Sequence, residues 1–166
     1  MEYVNKLVAR YQHKGLLIDT NLLLLYFIGA YDPDRIPKFK RTMAFSVDDF
    51  WLLISFLKAF NKLVTTPNVL TEVSNLSGQL AGDLRTTFYS DFANRIPLLE
   101  EHYVASVDAK SLAHFNQFGL TDSGIVQLVK DNYLVLTDDL KLVGYLQNQA
   151  IDVINFNHIR PLAWTT

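Results

Sequence analysis

Apolar positions in this chain follow two rhythms. Short apolar runs occur at Leu16-Leu17-Ile18 and Tyr133-Leu134-Val135-Leu136, and Leu63-Val64-Thr65 and Ile151-Asp152-Val153-Ile154 read as further short strands. Runs of that length suit strands buried on both faces, as in a parallel sheet covered by helices. Tyr103-Val104-Ala105 reads as a further short strand. Between the runs lie longer stretches with helical spacing. Glu2 to His13 is amphipathic, and Leu22 to Ile28 is a continuous apolar helix that Gly29 should stop. Asp48-Asp49 precede and cap a helix over Phe50–Leu57. Thr66-Pro67 opens another, with Thr as N-cap and Pro in the first turn. On that helix Leu70, Val73, Leu76 and Leu80 share one face. A helix is expected from Leu84 to Glu101, and another from Thr121-Asp122 through Ile125, Val126, Leu128 and Val129. A last one follows Thr137-Asp138-Asp139 and runs through Leu146. Strands and helices alternate, so the expected fold is α/β, three layers around a central parallel sheet.

Composition narrows this little further. The 166 residues are read as a single domain over 1–166. The chain has no cysteine, which removes thiol catalysis, disulfides and Cys-ligated zinc. The polar start Met1-Glu2-Tyr3-Val4-Asn5-Lys6 does not look like an export signal, and the apolar run Leu22–Tyr31 is too short to span a bilayer. The expectation is a cytoplasmic protein with no membrane association. With a net charge of −2, a nucleic-acid partner would have to be met by a local basic patch.

The candidate chemistry lies where elements end. Asp19 terminates the first apolar run with no basic neighbour in sequence, and Asp139 follows the strand that ends at Leu136. Asp122 falls in the first turn of its helix, and Glu72 lies about 40° beyond the Leu76 edge of its apolar face. Taken singly, Asp122 is an ordinary helix-start residue, Glu72 a solvated rim acid, and Asp138 an N-cap. Parallel strands bring their carboxyl ends together, so Asp19, Glu72, Asp122 and Asp139 can meet in one cleft. Such acids repel unless a hard divalent cation compensates them, and Mg²⁺ or Mn²⁺ suits oxygen ligands.

Leu17-Ile18-Asp19-Thr20-Asn21, a Glu on the helix after a Pro, Gly119-Leu120-Thr121-Asp122, and Val135-Leu136-Thr137-Asp138-Asp139 together resemble a PIN domain. That is the fold of VapC-type toxin ribonucleases and related metal-dependent nucleases. The resemblance implies that Asp19, Glu72, Asp122 and Asp139 bind one or two Mg²⁺ or Mn²⁺ ions and carry catalysis, with Asn21, Thr137 and Asp138 in support. It takes Asp139 rather than Asp138 because the family's acid lies two residues after the Thr. It implies an RNA substrate, and an antitoxin protein and a homodimer as candidate partners. Residues 31–61 stand out as an insertion, helical and following the first helix of the α/β repeat. Within it, Arg35, Lys38, Lys40 and Arg41 cluster around Phe39 and are either an RNA-phosphate arm or a solvated loop. Two rival readings remain: a catalytically inactive RNA- or protein-binding module of the same fold, and a phosphatase using Asp19 as nucleophile. The second lacks the D-x-D pair, since Asn21 stands where the second acid belongs.

Overall fold

The computed structural model describes residues 2–130 and 132–161. Helix α1 (Glu2–Tyr11) leads into strand β1 (Leu16–Ile18), followed by α2 (Thr20–Tyr31). A 3₁₀ segment over Pro33–Lys38 precedes α3 (Val47–Leu57). Then come β2 (Leu63–Thr65), α4 (Pro67–Ser77) and α5 (Asp83–Arg95). They are followed by β3 (Glu100–Glu101), α6 (Ser106–Ala109) and α7 (Phe115–Val129). The last elements are β4 (Leu134–Thr137), α8 (Leu140–Asn148), β5 (Val153–Asn155) and α9 (Phe156–Ile159).

The strands form one all-parallel sheet in the order β3-β2-β1-β4-β5, flanked by helices, as the alternating pattern predicts. The chain winds outward from β1 to β2 and β3, then returns to β4 on β1's other side and winds outward again to β5. The order therefore reverses between β1 and β4, and their carboxyl ends part there. Open parallel sheets bind ligands in the crevice outside such a switch point. Every residue of β1 and β4 is buried. Helix α2 is more deeply buried than an ordinary surface helix: Leu22 through Ile28 are all inside, packed among α3, α4 and α5. That explains its lack of a polar face. No helix among the described residues is long and apolar enough to cross a membrane.

Several boundaries differ from the sequence reading; α3 starts at Val47 with Ser46 as its N-cap, so Asp48 and Asp49 lie inside its first turn instead of preceding it. Gly29 does not stop α2, which continues to Tyr31. A Cβ there would meet the Phe50 ring at 2.3 Å, so the glycine admits α3 against α2. The helix expected to reach Glu101 ends at Arg95, because Pro97 lacks an N–H and its ring clashes with the preceding turn. The third strand is Glu100–Glu101, not Tyr103–Ala105, and Tyr103 is 81% exposed. β3 is an edge strand, held by backbone pairing to Val64 and Thr65, and Glu100 forms an ion pair with Lys62 and a hydrogen bond with His102 rather than burying an apolar side chain. Finally, α7 starts at Phe115, ahead of Thr121, and kinks at Gly119, whose φ of 72° starts a second helical segment just before Asp122. That φ lies in the left-handed region, which glycine alone adopts without strain.

The 31–61 insertion is helical, as expected. Ser46 and Asp49 close a capping box at the start of α3, and the buried Asp49 carboxylate also receives Arg160 in two hydrogen bonds of 2.9 and 2.8 Å. The same guanidinium donates to Ala44 O and to Asn157 Oδ1. One cation thus ties the insertion to α9. Phe39 is buried, so it packs inside and offers no stacking surface between the basic residues. Arg35 pairs with Asp32 at 3.2 Å and Arg41 donates to Gln79, while Lys38 and Lys40 are exposed.

Removing one partner of a buried pair strands the other charge. Arg160→Ala should therefore lower stability by about 2–3 kcal/mol, less than a fully enclosed pair because Arg160 is partly solvated. Urea unfolding checks this: the midpoint should fall at unchanged slope, and a loss below about 0.5 kcal/mol would show that the Asp49–Arg160 pair is not what fastens the insertion.

Candidate active site at the parting of the strands

Asp19 follows the last residue of β1 and is the N-cap of α2. Its backbone N–H still donates to Leu136 O of β4, so the sheet fixes its position. The residue is only 5% exposed. Thr137 Oγ1, at the end of β4, donates to Oδ2 at 2.5 Å, and the Thr20 N–H donates to Oδ1 at 2.5 Å. Thr137 Oγ1 in turn accepts the Asp139 N–H at 3.0 Å, linking the two strand ends through one hydroxyl. On the other side Thr20 Oγ1 donates to Glu72 Oε2 at 2.9 Å, which brings the α4 acid to the N-terminus of α2. Asn21 Nδ2 donates to Asp138 Oδ1 at 3.2 Å, and Asn157 Nδ2 holds the Asp138 carbonyl at 3.0 Å.

The sequence reading gave the N-cap role to Asp138, and the structure corrects it. Asp139 caps α8, its Oδ1 accepting from the Lys141 and Leu142 N–H groups, while Asp138 turns toward Asn21. In an S/T/D-capped helix the capping oxygen must reach N2 or N3, and only the residue just before Leu140 does so here.

Electrostatics draws Asp122 into the same group. Its carboxyl is pushed up to about 7, first by burial and then by the charges of Asp19, Asp139 and Glu72. Every charge acting on it is a carboxylate. Burial also pushes Asp19 up to about 6, against the hydrogen bonds from Thr137 and Thr20 and with help from Asp138 and Asp139. Asp138 is raised as well, chiefly by burial, though Asn21 and the more distant Arg160 oppose this. Asp19, Glu72, Asp122, Asp138 and Asp139 therefore sense one another around the switch point. The Lys and Arg residues of the insertion have no part in the hydrogen bonds or charge effects that define it.

Among the described residues, no three His, Cys, Asp or Glu side chains close on one point as a finished metal cage would. The donors are all hard oxygens, however, and the groups hydrogen-bonded to Asp19, Glu72 and the Asp138 carboxylate are neutral, with Arg160 acting on Asp138 through charge alone. That chemistry fits Mg²⁺, which is commonly held by one or two carboxylates and keeps several of its waters. It does not fit an ion needing three protein ligands at once.

Thr20, Asn157 and Arg160 were not singled out in the sequence. Thr20 had a signal, a hydroxyl directly beside Asp19 at a helix start. Asn157 and Arg160 had none, since both lie well beyond the last motif. No family model matches the chain, and no curated protein matches its sequence.

The raised carboxyls have a consequence for stability. The folded protein holds protons on Asp19 and Asp122 up to about pH 6 and 7, whereas the unfolded chain releases them near 3.8. Between those values the native state binds more protons, so stability falls as pH rises from about 4 to 7. In the metal-free protein, Asp122→Asn should be equal to the wild type near pH 4 and more stable by on the order of 2 kcal/mol at pH 7.5. Thermal melts of both proteins across that range in EDTA provide the check. A difference that does not change with pH would remove Asp122 from the cluster.

Proposed function

We propose that the protein is a metal-dependent ribonuclease of PIN type, cutting RNA phosphodiester bonds at the acids around Asp19. The reading is carried by one observation: Asp19, Glu72 and Asp139 are joined through Thr20 and Thr137 at the switch point of a parallel sheet, and only carboxylates act on the neighbouring Asp122. Perturbed acids gathered in a strand-end cleft mark functional sites. The motif resemblance supplies the reaction class.

Asp19 and Asp139 would hold the ion, with Asp122 and Glu72 reaching it through water. A bound Mg²⁺ or Mn²⁺ supplies Lewis acidity at a phosphate oxygen and lowers the pKa of water. The chain's own residues orient the donors. Thr137 fixes Asp19 Oδ2, and the Thr20 N–H fixes Oδ1. The N-termini of α2 and α8 face the same cleft and favour the negative charge gathered there. Asn21 holds Asp138 in place, which is a reason for an amide at that position rather than the second acid of a phosphatase pair. A toxin role, with an antitoxin protein as partner, is the biological setting the resemblance suggests.

Single-stranded RNA should be cut with Mg²⁺ or Mn²⁺, not in EDTA and not by Asp19→Asn. Thr137→Val keeps the shape but removes the donor and should cost about 10–100-fold in activity or metal affinity. Metal at a hundred times Kd should stabilise the wild type by about 2.7 kcal/mol and the Asp19→Asn protein much less. Cleavage in EDTA, or equal metal-induced shifts in melting temperature, would refute the metal-dependent reading.

A further inference from the structure

A groove of about 260 Å³ opens beside the acids. Asn68, Thr71, Glu72 and Asn75 of α4 form one wall, and Leu120 and Thr121 at the kink of α7 form the other. The α4 residues are spaced i, i+3, i+4 and i+7, a single helix face, while Val69, Leu70 and Val73 on the adjoining face go into the core. The side chains of Asn68, Thr71 and Asn75 make no hydrogen bond with other described residues. Each is a free donor or acceptor on the lining of a concave surface. Glu72 belongs both to this groove and to the acid cluster, and Thr121 precedes Asp122, so the two sites are continuous.

Charge decides what part of a nucleic acid can enter. The only charge in the lining is the Glu72 carboxylate, which repels phosphate. The occupant must therefore be an uncharged, hydrogen-bonding part of the chain, and a base qualifies. Asn side chains pair in bidentate fashion with base edges, and unpaired RNA bases are free to swing out and be read on those edges. Leu120, 38% exposed, offers the apolar surface against which a ring can lie. The volume falls below the roughly 300–1,000 Å³ of whole small-molecule sites, which suits one base rather than a free nucleotide.

We propose that this groove is a base-selecting subsite, receiving the unpaired nucleobase next to the phosphate held at the acids, with Asn68 and Asn75 reading its edge. The proposal rests on the ribonuclease reading above for the phosphate's position. Asn68 and Asn75 are specificity residues here and take no part in the chemical step.

The test uses the full chain in two assays. A pool of randomised single-stranded RNA is cleaved with Mn²⁺ by the wild type, Asn68→Ala and Asn75→Ala, and the ends are sequenced. Binding of the Asp19→Asn protein, alone and combined with each Asn substitution, is measured on homopolymers of each base. The wild type should show an enriched base beside the cut. In the Ala variants that enrichment should fall about tenfold. Alanine suits a helix at these positions, and equal melting temperatures guard against misfolding. An unchanged enrichment in both variants, or none in the wild type, overturns the subsite while leaving the nuclease reading intact. If the wild type cuts nothing but the binding preference for one base vanishes with the Asn substitutions, the nuclease reading fails and the subsite stands. Absence of both cleavage and base preference overturns both.

Discussion

A carboxylate almost removed from water at the point where two parallel strands part is the constraint around which this molecule is built. A buried charge must find donors, and Asp19 has them: the Thr137 hydroxyl from β4 and the first N–H of α2. Both come from elements whose positions the sheet itself sets, because β1 and β4 are paired in register through Leu16–Leu134, Leu17–Val135 and Ile18–Leu136. Neutral donors reduce the cost of the charge without cancelling it, and the carboxyl remains pushed up to about 6. A lysine in place of Thr137 would cancel it outright. The arrangement keeps negative charge available.

That choice is opposed by the rest of the cluster and supported by the rest of the fold. Glu72, Asp122, Asp138 and Asp139 all add charge of the same sign nearby. What holds them there is rigid scaffolding. α2 is buried along nearly its whole length, so its N-terminus cannot drift from Asp19. Glu72 is tethered through Thr20, and Asp122 is set at the start of a helical segment by the left-handed turn at Gly119. Burial of Leu22 through Ile28, each worth about 1.5–3 kcal/mol, is of a size that can carry the repulsion among the acids.

Much of the sheet was legible because its strands are buried on both faces and so appear as unbroken apolar runs. β3 was not, because an edge strand is fixed by backbone hydrogen bonds, and Glu100-Glu101 carries no apolar signature. Gly29 misled because a glycine for close helix approach looks in sequence like one that ends a helix. Pro97 was legible in principle, since it rules out a helix running from Leu84 to Glu101. The acids at the strand ends could be seen as a set through strand polarity alone. Their partners could be seen only where they were neighbours in sequence, such as Thr20 and Thr137. Arg160 reaches Asp49 across 111 positions, and no local pattern announces such a pair.

The adjacent pair Asp138-Asp139 joins these themes. The sequence reading assigned the cap to Asp138 and the ligand to Asp139, the latter because the acid of the family it resembles lies two residues after the Thr. The structure places the cap on Asp139, yet both bonds from α8 go to the same oxygen, Oδ1. Oδ2 accepts none among the described residues. A cap of this kind consumes one oxygen and fixes the direction of the other, at the N-terminal end of a helix dipole. Asp19 differs in that both oxygens are engaged: at the start of α2 Oδ1 accepts from the Thr20 N–H, and Oδ2 takes Thr137. At both parted strand ends the fold begins a helix with an acid, so the residue that starts the helix also stands at the switch point of the sheet.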